Sequence, residues 1–120
     1  LHLSIRRQRQ MCIRDSYYSG MFGGAVRVAP YAEFGTDELA RNVTEALDGR
    51  SAALMANHGA ITTGPTVDKA LSLLPYLEYI CEVHLRAMST GHPIKVLDDK
   101  QTVDATRGIA GYKPKVVDEA

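Results

Sequence analysis

Apolar and polar positions alternate along "AVRVAP" (25–30), and its β-branched content predicts a strand closed by Pro30. The Gly23-Gly24 pair before it is a turn signal. From Thr36 the period lengthens. In "TDELARNVTEALDG" the residues Leu39, Val43, Ala46 and Leu47 share one helical face. Thr36 is placed as N-cap, Asp37 and Glu38 sit in the first turn, and Gly49 follows the end. "SAALMAN" (51–57) is a short apolar run and "AITTG" (60–64) is β-prone. The two read as consecutive antiparallel strands or as one strand bent at Gly59. The longest helix is expected over 66–90, with Thr66 as N-cap and Gly91 beyond its end. Its stripe runs Val67, Ala70, Leu71, Leu74, Leu77, Cys81, Leu85 and Met88. Pro75 inside it should kink the helix or open the bond four residues back. Tyr76, Tyr79 and Ile80 widen the apolar surface, which predicts burial against more than one partner. "KVLDDKQTVDATRG" (95–108) reads as a shorter, weaker helix, and "GYKPK" starts a tail. The class is α/β or α+β, with helices packed on a mainly antiparallel sheet.

At 120 residues and 45% hydrophobic the chain holds at most one domain with an adequate core. Fourteen basic and fourteen acidic side chains cancel overall, but four arginines stand within residues 1–16. Residues 17–120 carry ten basic and thirteen acidic groups, which leaves no basic footprint for nucleic acid. The stretch "LHLSIRRQRQMCIRDS" shows neither alternation nor a helical stripe, so it reads as foreign or disordered sequence and is set apart from the domain. Cys12 and Cys81 have no metal-type spacing, and Cys81 is expected as a buried free thiol in a reducing compartment. No apolar run reaches transmembrane length and the N-terminus lacks the apolar core of a signal peptide. A cytoplasmic address without membrane contact is expected.

Two residues stand out as candidates for chemistry. His58 follows an apolar strand and precedes Gly59, whose missing side chain would leave the imidazole accessible and let the backbone turn. A metal or catalytic role competes there with that of a turn histidine bonded to a carbonyl. His2, His84 and His92 are too scattered to complete a recognisable three-ligand site. Tyr31, in "APYAEFGT", lies in a loop between strand and helix. Its phenol is either a proton donor to a developing alkoxide or an aromatic ring packed at the sheet's edge. Tyr112 in the tail is a looser candidate for a lid residue.

Three pieces in order, "GGAVRVAPYAEFGTDELA" (23–40), "ALMANHGAITTG" (53–64) and "DKALSLLPYLEYICEVHLRA" (68–87), resemble the class II aldolase/adducin family. That family has the fold of fuculose-1-phosphate aldolase and ribulose-5-phosphate 4-epimerase. The A-P-Y string followed by an N-H-G box carries the resemblance, which covers about residues 20–95. It implies that His58 is the third ligand of a catalytic Zn²⁺ or another divalent metal. The other two ligands would be an H-x-H pair upstream, where this chain has the basic stretch instead. The family's catalytic glutamate and phosphate-binding loops also lie upstream. Residues 17–120 are thus expected to be the C-terminal part of such a domain, inactive alone.

By the same resemblance Tyr31 reaches a neighbouring subunit's site and protonates the aldehyde oxygen. The implied activity is aldolase or epimerase chemistry on a sugar phosphate through a metal-stabilised enediolate, in a homotetramer. A dehydratase or decarboxylase on the same scaffold stays open, as does a non-enzymatic, adducin-like interaction module. The intact Asn57-His58-Gly59 box weighs against the last.

Overall fold

The structure is a computed structural model that describes residues 12–112. It is a mixed α/β fold with strands β1 (Cys12–Ile13), β2 (Val26–Ala29), β3 (Ala52–Met55) and β4 (Gly59–Thr62). A 3₁₀ segment (Tyr17–Phe22) precedes β2, and the helices are α1 (Asp37–Ala46), α2 (Val67–Ser89) and α3 (Asp99–Gly111). The sheet order follows the chain, β1-β2-β3-β4. The outer pairs are antiparallel, whereas β2 and β3 run parallel with Ala29 opposite Met55. That central pairing makes the sheet mixed. Its cause is the connection: a chain that leaves β2, forms a helix and returns beside β2 arrives in the same direction.

Helix ends follow the local chemistry of their caps. The Thr36 and Thr66 hydroxyls accept from the Leu39 and Lys69 N–H groups. Asp98 caps α3 reciprocally with Gln101, so this helix starts four residues later than its apolar pattern suggests and runs on to Gly111. Between strand and helix, "SAALMANHGAITTG" folds as two strands around a three-residue connection, 56–58.

The sheet is a middle layer with a core on each face. Val26 and Ala52 point to one side and join Ile13, Phe22, Leu77 and Ile80, with Leu54 and Cys81 packed against them. Ala29 and Ala53 point to the other and meet Ala46, with Val43, Leu47, Met55 and Ile61 around them. Period-two alternation along β3 thus divides Ala52 and Leu54 from Ala53 and Met55. Each fully buried Phe22, Val26 or Ile80 side chain contributes roughly 1.5–3 kcal/mol. On the second face Arg27 donates to the carbonyls of Glu45, Ala46 and Asp48, at 3.4, 3.4 and 2.7 Å, and so clasps the end of α1.

The 3₁₀ segment carries no sequence period, yet it holds Phe22, fully buried. It also seats α3: a Cβ on Gly20 would lie 2.8 Å from the Ala105 carbonyl carbon and 2.9 Å from the Thr106 nitrogen. Gly20→Ala must therefore push α3 outward, with an expected loss of about 1–3 kcal/mol. A urea unfolding midpoint that does not move would contradict this packing.

Residues 1–11 of the stretch set apart above lie outside the described residues. Its remainder does pack: Ile13 is 5% exposed, and the buried Asp15 carboxylate meets His84 Nδ1 at 3.2 Å.

Helix α2 runs unbroken past Pro75. It turns Leu77 and Ile80 inward while Val67, Leu71, Leu85 and Met88, expected on the buried stripe, are exposed. Periodicity marks an apolar face, and nothing among the described residues covers this part of it. Tyr18 meets Tyr76 at a tilt and Tyr79 edge to face, at ring-centroid distances of 5.9 and 5.6 Å. Cys81 is a free, half-buried thiol. Burial, and then the Glu78 carboxylate, push its pKa above the ordinary thiol value. Less thiolate forms at any given pH, so a Cys12→Ser chain should alkylate more slowly when folded than in urea. Equal rates in the two states would contradict that shielding.

Candidate active site

The parallel register of β2 and β3 decides where the two candidate residues emerge. Ala29 and Met55 are the last, paired residues of the two strands, and the Ala56 N–H donates to the Ala29 carbonyl at 3.0 Å. Tyr31 leaves two residues after β2 and His58 three residues after β3. Both therefore depart from the same, C-terminal edge of adjacent parallel strands, the edge where α/β folds place ligands.

The connection carrying His58 is closed by the His58 N–H, which donates to the Met55 carbonyl at 3.1 Å. Asn57 occupies the left-handed region, φ 58°, which an asparagine tolerates because its short amide hydrogen-bonds locally. The turn thus uses both Asn57 and Gly59, whose φ of 159° is one that L side chains rarely adopt. A Cβ added at Gly59 would meet nothing within 4 Å, so room for the imidazole is not what requires a glycine there. His58 itself is exposed, and among the described residues its ring makes no hydrogen bond or ion pair.

Tyr31 is 62% exposed, and its hydroxyl has no hydrogen-bond partner among the described residues. Of its two readings, a ring packed at the sheet's edge does not match this exposure. Its loop is nonetheless fixed. Ala32 is buried, and the Thr36 hydroxyl donates to the Glu33 carbonyl at 2.6 Å. The Asn42 amide donates to the Pro30 carbonyl at 3.2 Å. Asn42 gave no signal in the sequence, where a polar residue inside an amphipathic helix reads as solvated. Phe34, 79% exposed, stands on the same loop.

Other candidates do not converge here. His84 lies on α2 against Asp15, and His92 is exposed in the turn after that helix. Tyr112 is exposed at the end of α3, and His2 lies outside the described residues. Among the described residues no three His, Cys, Asp or Glu side chains group as a metal site. His58 offers one free imidazole nitrogen, so it suits a metal as a single ligand and does not by itself close a site. An open cleft of about 550 Å³, lined by Arg14, Arg50, Asp99, Thr102, Thr106 and Arg107, lies instead at the N-terminal end of β2 and β3. No described helix is long and apolar enough to cross a membrane.

Comparison with known proteins places this geometry in context. Residues 2–85 match the family described as Class II Aldolase and Adducin N-terminal domain. The 5-methylthioribulose-1-phosphate/5-deoxyribulose-1-phosphate aldolase of Rhodospirillum rubrum is 40% identical over 78 residues, which is 64% of this chain and 35% of that protein. The L-fuculose phosphate aldolase of Escherichia coli K12 is 37% identical over 79 residues, 66% of this chain and 37% of its own length. Among solved structures an L-fuculose 1-phosphate aldolase superposes with a TM-score of 0.76 at 29% identity, covering 89% of this chain and 50% of that one. The chain thus spans between about a third and a half of the length of these relatives.

Proposed function

This chain belongs to the class II aldolase and adducin N-terminal domain family, and from that premise we propose that it forms part of a metal-dependent aldolase acting on a sugar phosphate. The observation that carries the reading is the shared departure of Tyr31 and His58 from the C-terminal edge of β2 and β3, each exposed and with no side-chain partner among the described residues. The aldolases among its relatives support the reaction class. They weigh against an adducin-like module without chemistry, and epimerase, dehydratase or decarboxylase variants would use the same edge.

In this reading His58 holds the cation through its neutral imidazole, with two further histidines supplied from outside the described residues. When bound, the metal supplies the Lewis acid that steadies negative charge as the substrate's carbon–carbon bond breaks. Tyr31 contributes the proton. By the family resemblance the phenol acts on a substrate held at a neighbouring subunit of a homo-oligomer, a tetramer, at a cytoplasmic address, and the exposure of Tyr31 is compatible with that role. Residues 17–120 supply the part of the domain that bears these two groups.

The test pairs this chain with the N-terminal half of the E. coli L-fuculose phosphate aldolase, co-expressed and purified together with zinc. Aldol cleavage of L-fuculose 1-phosphate should appear in the pair, fall on chelation and return with metal. A soluble, assembled pair that holds zinc and cleaves none of a panel of ketose 1-phosphates would overturn the reading.

A further inference from the structure

The peptide unit between Pro30 and Tyr31 decides which way the tyrosine leaves the sheet. Its carbonyl belongs to Pro30 and its N–H to Tyr31, so fixing the carbonyl fixes ψ of Pro30 and the direction of the whole peptide plane from which Tyr31 departs. The proline ring has already set the preceding torsion. On one side the Ala29 carbonyl is taken by the Ala56 N–H, which ties the end of β2 to the exit of β3. On the other, the Pro30 carbonyl is held from α1 by a single side chain, the half-buried Asn42, at 3.2 Å. Arg27 fixes the far end of the same helix by its three carbonyl contacts. The helix is thus immobilised below and reaches up with one amide to the residue before Tyr31.

Asparagine is a poor choice for the middle of α1 on local grounds, since its side chain competes for backbone groups and lowers helix propensity. The neighbours in "DELARNVTEA" are mostly good helix formers. A local rule broken at a half-buried position points to a tertiary task. We infer that Asn42 is a positioning residue for Tyr31: its amide holds the Pro30 carbonyl and so sets the peptide plane from which the phenol departs. Asn42 touches no substrate and acts only through the loop. The inference rests on the role proposed for Tyr31.

Nuclear magnetic resonance on the full chain tests it without relying on a variant. One Asn42 side-chain amide proton should exchange about fivefold to tenfold more slowly than that of a free asparagine, the effect of one retained hydrogen bond. Asn42→Ala, and Asn42→Asp, which keeps the shape and loses the donor, should lower the backbone order parameters of Tyr31 and Ala32 from about 0.85 to below about 0.6. Val28 in β2 and Val43 in α1 should stay rigid. Free exchange of the Asn42 amide, a Tyr31 that stays rigid in either variant, or equal loosening of β2 and α1 would overturn the inference.

In the reconstituted pair Asn42→Ala should lower kcat about tenfold with KM unchanged, and should add nothing in a Tyr31→Phe background. If Tyr31→Phe keeps full kcat, the proposed role of the tyrosine fails. The order parameters then still decide whether Asn42 holds the loop.

Discussion

His58→Ala should abolish metal retention and cleavage in the reconstituted pair while leaving the fold intact. The expectation follows from where the residue sits. His58 is exposed at the tip of the β3–β4 connection, and its ring bonds to no described residue. Its structural contribution runs through the backbone, by the N–H that closes the turn on Met55, and alanine keeps that bond. Removing the ring should therefore move the unfolding free energy by no more than about 0.5 kcal/mol, as for other exposed sites. Loss of one imidazole from a three-histidine site leaves too few ligands to hold a divalent cation through dialysis. Mass spectrometry of the dialysed wild-type pair should find about one metal per active site, the number such a site holds, and the variant almost none. Metal content that survives the substitution would remove His58 from the ligand set.

Tyr31→Phe should leave metal content unchanged and lower kcat by a hundredfold to ten-thousandfold, roughly the contribution of a positioned acid. Two features separate this effect from damage to the fold. The ring is 62% exposed, so the hydroxyl is not part of the core. Its loop is held by Asn42, by the buried Ala32 and by the Thr36 cap, none of which involves the phenol. KM should stay within a few fold, since a proton delivered in the transition state is felt in kcat and kcat/KM together. A variant that raises KM alone would make Tyr31 a binding residue.

Much of this architecture was legible in the sequence because it depends on neighbours in the chain. Thr36 and Thr66 announce α1 and α2 through hydroxyls that reach only three residues, so pattern and structure agree at those ends. Parallel pairing of β2 with β3 was missed because the reading rested on alternation, which is the same whichever way a partner runs, and not on the strand–helix–strand order that implies it. The 3₁₀ segment was missed for a different reason. Tyr17–Phe22 has no period of its own, and its order comes from Phe22 in the core and Gly20 beneath α3.

At the candidate site, His58 and Tyr31 were readable as residues because both sit in short loops at strand ends. Their common edge came only with the parallel register. Asn57 as the left-handed residue of the turn, and Asn42 as the tether of the Tyr31 loop, depend on torsions and contacts that residue type does not encode. On α2 the apolar stripe was found, but which of its faces is covered depends on partners beyond the described residues.

Anomalous scattering from crystals of the zinc-loaded pair tests the central claim most directly. The account predicts a zinc peak about 2.0–2.1 Å from one ring nitrogen of His58, at the C-terminal edge of β2 and β3. Zinc bound elsewhere, with the His58 imidazole free in solvent, would contradict it.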